Sequence, residues 1–289
     1  FFYYYVLLLF FLICTFFFGL SFLVFFFIYY SKISYKMSMF TIFSPLEQFS
    51  VYKIIPLQFS FIDLSLTNSS CFAVGATALI FMIFSSICSN AKIIPAIWQI
   101  ILEMFYEFVY FNIVSENIKS EGNKYFPILF ATFFFILFCN LMGMVPFGFT
   151  VTSHIIITFG LALTIFVGIN IIGLKIHGLH MLSLFLPSGA PLIMAPLLVF
   201  IEVVSYSFRI ASLSLRLFAN MMSGHCLLKI LAGFAWTMFA SGTILSIFHL
   251  VPLIVIFAII GLELGIAFLQ AYVFTLLLCV YLNDAISLH

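Results

Sequence analysis

The sequence predicts an all-helical, polytopic membrane protein. Of its 289 residues, 65% are hydrophobic and only 7% are charged, whereas a soluble domain carries about a quarter charged residues. The bilayer therefore has to serve as solvent for this much apolar surface. Uncharged runs at 1–31, 64–91, 125–153 and 155–174 each meet the requirement of roughly 18 apolar residues for a spanning helix. A spanning β-barrel would alternate in segments of about 10 residues, and these runs do not alternate.

In chain order, residues 1–30 form a first candidate span within an N-terminal hydrophobic segment, 1–43. Residues 31–70 mix Lys32, Lys36, Glu47, Lys53 and Asp63 with Pro45 and Pro56, the pattern of a loop outside the hydrocarbon. Residues 71–89 form a second span, ended by Ser89, Asn90 and Lys92. Residues 92–121 differ in kind. Trp98, Ile101, Leu102, Phe105, Phe108 and Val109 recur at spacings of three and four, with Glu103, Glu107 and Glu116 between them. That is an amphipathic helix expected to lie on the membrane; the alternative is an exposed helix in a loop domain. A turn at 122–125 leads to a hairpin over 126–174, with one span ending near Gly143, Pro146 and Gly148 and a second over 152–174. A polar break at 175–188 follows, and then a final long block, 189–287.

Several function classes are excluded early. A net charge of +1 without a basic cluster argues against nucleic-acid binding. The six cysteines stand singly, mostly in apolar runs, and the six histidines form no HExxH motif, so no metal site and no cofactor is expected. His177 and His180 are three apart but have no carboxylate following them. No GxxxxGK[ST] loop is present, so nucleotide chemistry is not expected on this chain.

The final block carries Glu202, Arg209, Arg216, His225, Lys229 and Glu263 within apolar sequence. A charge at the bilayer centre costs at least about 2.5–3.5 kcal/mol, so these groups need a protein or aqueous surface to face. If 190–229 is mostly one helix, Glu202, Arg209, Arg216 and Ser223 share a stripe at spacings of seven, with Asn220 one turn beyond Arg216 and Ser205, Ser212 and Ala219 nearby. Small residues alone would indicate close helix packing; three ionisable groups on the same stripe indicate function. Arginine has a pKa far above physiological pH, so it stays charged and cannot carry protons, and Arg216 reads as a gate. Glu202, His225 and Glu263 read as relays, because glutamate and histidine titrate readily. Snorkelling toward the interface remains open for Glu202, Arg209 and Lys229. His225 lies about 180° around the helix from Arg216, so it either serves another compartment or packs on a neighbouring helix, where Glu263 offers a partner. Glu263 and Gln270, seven apart, share a face.

These residues stand in runs that closely resemble a known family. LPSGAPLIMAPLLVFIEVVSYSFRIASLSLRLFANMMSGHCLL (186–228) and LELGIAFLQAYVFTLLLCVYL (262–282) resemble subunit a of the F-type ATP synthase in its mitochondrial, plant- and algal-like form. SPLEQF (44–49), NLMGMVPFGFTVTSH (140–154), KILAGFAWTM (229–238) and YLNDAISLH (281–289) extend the likeness over roughly 44–289, expected as one subunit-a domain; 1–43 match nothing in it.

The resemblance implies a long, tilted, near-horizontal C-terminal hairpin against a rotating ring of c subunits, in a multi-pass protein of the mitochondrial inner membrane. It implies that Arg216 faces the ring's proton-carrying carboxylates, with Asn220 and Gln270 beside it; Arg209, Ser212 and Ser223, on the same stripe of the helix, are expected at that interface as well. It implies that His225 and Glu263 form a pair in one half-channel and that Glu202 belongs to the other. A peripheral-stalk b-type subunit, other synthase membrane subunits and lipids are the further partners implied. Two departures stand out: Ile210 follows Arg209 where many relatives have proline, and Gly143 stands where some bacterial relatives carry aspartate. Two readings from other classes are a secondary cation/proton antiporter, which would work without a rotor, and a purely structural membrane subunit, whose buried charges would tolerate neutral substitution.

Overall fold

The computed structural model describes residues 44–56, 58–59, 62–63, 65–89, 91–118, 122–145, 148–178, 180–181, 194–240 and 248–287. The span expected at 1–30 lies outside the described residues. The described residues are almost entirely helical, and among them six helices are long and apolar enough to cross a membrane: α1, Asn68–Ser89; α2, Ile97–Ser115; α3, Gly122–Met144; α4, Ile155–His177; α5, Ala195–Ala240; and α6, Leu250–Ile286.

The segment before α1 holds structure that hydropathy did not reveal. Pro45–Phe49 forms a 3-10 turn, opened by Ser44, whose Oγ accepts from the Leu46 N–H. Four short strands follow: β1, Lys53–Ile55; β2, Gln58–Phe59; β3, Ile62–Asp63; and β4, Leu66–Thr67. They form nested antiparallel pairs, β1 with β4 and β2 with β3. Such pairing satisfies backbone N–H and C=O groups of the segment that leads into the helix. The ribbon leads directly into α1 through a reciprocal cap. The Thr67 N–H donates to Ser70 Oγ at 3.0 Å, and the Ser70 N–H to Thr67 Oγ1 at 3.4 Å. Asn68 ties the same end to the upstream strap, accepting from the Tyr52 N–H at 3.2 Å and donating to the Ser50 carbonyl at 3.1 Å.

α2 is amphipathic as its spacing predicts. Ile101, Leu102, Phe105 and Phe108 are half-buried and Val109 is buried, while Glu103, Glu107 and Glu116 are exposed. Trp98, on the predicted apolar face, is 70% exposed. The helix is regular over Ile97–Glu107 and then widens to π geometry over Phe108–Ser115. It is also long and apolar enough to cross a membrane. α4 stops at Gly178, whose φ of +58° is the left-handed region glycine enters without cost, and whose N–H returns to the Leu174 carbonyl.

α5 runs unbroken for 46 residues and α6 for 37. At 1.5 Å per residue these are about 69 Å and 55 Å long, far beyond a hydrocarbon layer of about 30 Å. Neither fits upright within it.

The chain packs into two compact units. One comprises the described residues up to Ala73, Cys139–Ser153 and Ala219–Phe268. Its core is built from Met221, Leu228 and Ala232 of α5 against Ile256, Ile260, Leu264 and Ala267 of α6, closed by Met144 of α3. Their spacings of three, four and seven place each set on one helical face. The other unit comprises Val74–Phe138, His154–Phe218 and Leu269–His289. Aromatic rings hold it: Phe84 of α1 meets Phe130 and Phe134 of α3 edge-on, at 5.6 and 5.1 Å between centroids. Phe105 and Tyr106 of α2 pack on Phe134 and Phe126, and Phe108 reaches Tyr272 of α6. Ring pairs of this kind add about 0.5–1.5 kcal/mol each beyond area burial, which gives part of the phenylalanine-rich composition a packing role.

Candidate functional site

The unit containing Ala219–Phe268 holds an acid–base pair. His225 Nε2 lies 3.3 Å from Glu263 Oε1, and Glu263 is only 2% exposed. Glycine at 224 makes the slot for this carboxyl: a Cβ there would come within 2.7 Å of Oε1 and 3.1 Å of Cδ. The turn after Glu263 is fixed from α3. Buried Asn140 donates through Nδ2 to the Ala267 carbonyl at 3.3 Å and accepts from Thr152 Oγ1 at 2.9 Å. The facing imidazole offers a base and the carboxyl an acid within one proton's reach, although the two are not aligned as a hydrogen bond and both Glu263 oxygens keep unused capacity among the described residues. A buried carboxylate is costly alone; beside an imidazole it becomes a place where a proton can be held and handed on. On the same stretch of α5, Lys229 Nζ donates to the Ser44 carbonyl at 3.3 Å, so this lysine tethers the N-terminal strap.

The unit containing His154–Phe218 holds a second ionic cluster, centred on Arg209. Its guanidinium lies 3.6 Å from Glu202 Oε1 and 3.4 Å from Asp284 Oδ2. The rings of Tyr206 and Tyr281 flank it at 5.6 and 5.5 Å. Glu202 and Arg209 meet because seven residues are nearly two turns of one helix. Asp284 and Tyr281, three apart, come from the last turns of α6. Tyr206 Oη in turn donates to Asn170 Oδ1 of α4 at 2.8 Å. Glu202 is thus an acid held beside a permanent cation, and Arg209 bridges two carboxylates.

Asp284, Tyr206, Tyr281, Asn170 and Asn140 escape sequence reasoning. Each acts through a partner on another helix, which spacing along one helix does not show. Asp284 is marked in the sequence only by its place in the YLNDAISLH run.

Arg216 is different. It is exposed on α5, and no carboxylate among the described residues pairs with it. Its surroundings on that helix face are Ser212, Leu215, Ala219 and Ser223, all exposed, continuing into exposed Leu227 and Ile230. The serines spend their hydroxyls on the helix itself: Ser212 Oγ donates to the Arg209 carbonyl and Ser223 Oγ to the Asn220 carbonyl. Along α5 the residues at these spacings are thus small or apolar apart from Arg216. Asn220, half-buried, sits one turn on. Gln270 is 1% exposed, buried within α6's packed face. No group of three or more candidate metal ligands occurs among the described residues.

Known proteins share this arrangement of sequence. The family model described as ATP synthase A chain matches residues 70–283. ATP synthase subunit a of Marchantia polymorpha is 51% identical over 250 residues, covering 85% of this chain and 99% of the relative. That of Chondrus crispus is 53% identical over 250 residues, covering 86% and 98%. Arabidopsis thaliana subunit a-2 is 49% identical over 253 residues, covering 85% of this chain and 72% of the relative. A buried acid–base pair, an arginine held between carboxylates and an exposed one with no carboxylate partner among the described residues thus lie within the stretch matched by the family model, and the chain belongs to the ATP synthase A chain family.

Proposed function

We propose that this chain is the stationary proton-carrying subunit in the membrane sector of a rotary ATP synthase, working in the mitochondrial inner membrane through two offset half-channels that Arg216 keeps apart. The observation that carries this reading is the exposed guanidinium on the small and apolar stripe of α5, which meets no carboxylate among the described residues. A permanent charge facing lipid would be unstable, so the stripe calls for a partner that brings carboxylates to it. A ring of c subunits bearing acids at that depth supplies them, and the small residues Ser212, Ala219 and Ser223 let it approach closely.

In this mechanism a proton reaches the His225–Glu263 pair and passes to a ring carboxylate. The neutralised acid can then face acyl chains as the ring turns. When an acid returns to Arg216, the fixed positive charge favours its ionised form, and its proton leaves by way of Glu202, beside Arg209 and Asp284. Because Arg216 never deprotonates, no proton can cross directly from one station to the other through it. A membrane potential contributes about 2.3 kcal/mol per charge per 100 mV. Asn220 lies next to Arg216 at the ring, and Gln270 supports the arrangement from within α6. A peripheral-stalk b-type subunit, other synthase subunits and lipids cover the remaining apolar helix faces, and ATP chemistry resides on other chains.

The test is replacement of Arg216 in the assembled complex. Arg216→Ala is expected to abolish proton-driven ATP synthesis, and Arg216→Lys to impair it severely, because a point ammonium does not reproduce the forked guanidinium. Normal synthesis by Arg216→Ala membranes with a full complement of assembled complex would overturn the gate role.

A further inference from the structure

Helix α4 touches the Arg209 cluster along a single row, Asn170, Gly173 and His177, whose spacings of three and four keep them on one face. Asn170 Oδ1 accepts from Tyr206 Oη at 2.8 Å, and its Nδ2 is anchored to the Phe166 carbonyl at 3.0 Å. Phe166 also packs on the Tyr206 ring, 4.7 Å between centroids. Gly173 leaves room: a Cβ there would come within 3.5 Å of Ala285 Cβ and 2.9 Å of Met181 Sδ. His177 Nε2 lies 2.8 Å from the carbonyl of Ile286, the last residue of α6. That carbonyl is one of the four a helix leaves unpaired at its C-terminus. A carbonyl oxygen only accepts, so Nε2 carries the hydrogen and His177 acts as a cap on α6 supplied by another helix. Two residues before this cap stands Asp284, which pairs with Arg209, and Tyr281 on the preceding turn flanks the same guanidinium.

We propose that His177 and Asn170 are positioning residues of the Glu202 station: α4 holds Tyr206 on one side and the final turn of α6 on the other, and so keeps Arg209 between Glu202 and Asp284. The inference rests on the reading of Glu202 as a proton-carrying group. Without the His177 cap the end of α6 frays, as helix ends do when their carbonyls lack partners, and Asp284 withdraws from Arg209. Glu202 then faces the full charge of Arg209, and its proton exchange changes while the His225–Glu263 pair is untouched.

Membranes carrying the assembled synthase test this by ATP-driven proton pumping and ATP synthesis. His177→Ala is expected to lower both rates by about two- to ten-fold, the range one lost hydrogen bond supports. His177→Gln, which keeps a donor at similar reach, is expected to restore most of the rate; a loss due only to altered helix packing would not be rescued this way. Tyr206→Phe, which deletes one oxygen, is the second variant and is expected to lower the rates in the same direction, so the proposal stays testable if His177→Ala reduces assembly. Wild-type rates in both His177→Ala and Tyr206→Phe, or a glutamine variant as slow as alanine at equal complex content, would overturn the positioning role. Glu202→Gln in the same membranes separates the two layers: if it leaves proton flow intact, the reading of the station fails and this inference with it; if it slows flow while His177→Ala and Tyr206→Phe do not, only the inference fails.

Discussion

At Gly224 an added Cβ would lie 2.7 Å from Glu263 Oε1, closer than real side-chain carbons approach an oxygen, so either the carboxyl or the helix has to move. Glu263 has little freedom to yield, being buried beside Leu264 and Ala267 in the core that joins α5 to α6. Gly224→Ala is therefore expected to displace the acid from His225 and slow proton pumping by about 10- to 100-fold, the scale at which a misplacement near 1 Å acts. Gly233, nine residues on in the same helix, has nothing within 4 Å of a built Cβ. Gly233→Ala should leave pumping unchanged and shift stability by no more than about 1 kcal/mol, in the favourable direction helix propensity gives. Pumping rates of the two alanine variants at equal complex content check the contrast. The same scale explains why two arginines seven residues apart differ. Arg209 meets Glu202 and Asp284 and lies between two tyrosine rings, whereas Arg216 meets no carboxylate of its own chain among the described residues. Charge alone marks both as candidates, and only the partners separate them.

At the scale of elements, Asn140 joins three pieces of chain: its own helix α3, the Thr152 turn and the Ala267 turn of α6. Asn140→Leu removes both bonds and leaves the buried Thr152 hydroxyl without its acceptor, a loss of about 1–3 kcal/mol. Lower thermal stability of the assembled complex, with a parallel fall in proton pumping as the turn after Glu263 loosens, is the expected outcome; an unchanged melting temperature would contradict it. Much at this scale was legible beforehand. Long uncharged runs indicate α1, α3 and α4, and the heptad of Glu202, Arg209 and Arg216 makes sense only on one continuous helix, which α5 is. The β1–β4 ribbon was not legible, because strands of two or three residues are too short for any periodicity to emerge. Nor was the π geometry of Phe108–Ser115, since a shift from i→i+4 to i→i+5 bonding leaves the apolar spacing nearly intact. In the candidate site, Glu202, Arg216, His225 and Glu263 stand out because charges are rare in apolar sequence. Asp284, Asn170 and His177 do not, because their significance lies in contacts with other helices.

For the molecule as a whole, the lengths of α5 and α6 and the exposed guanidinium bear on how the protein exists before it works. An upright helix of about 30 Å spans the hydrocarbon layer; α5 is more than twice that, and its Arg216 is exposed, with exposed Ser212 and Ala219 near it and half-buried Asn220 one turn on. On the proposed reading, in which an acid from another chain meets Arg216, newly made copies would carry this charge in the hydrocarbon without that acid beside it. Arg216→Leu is accordingly expected to lengthen the lifetime of the subunit in cells lacking the c ring, while leaving those that possess it without ATP synthesis. Pulse-chase labelling in both backgrounds reads this out, and an equally short or shorter lifetime for the leucine form would contradict it. If Arg216 is the proposed gate, the same side chain would make the unassembled polypeptide a substrate for quality control, and biogenesis would favour inserting it where a rotor already waits.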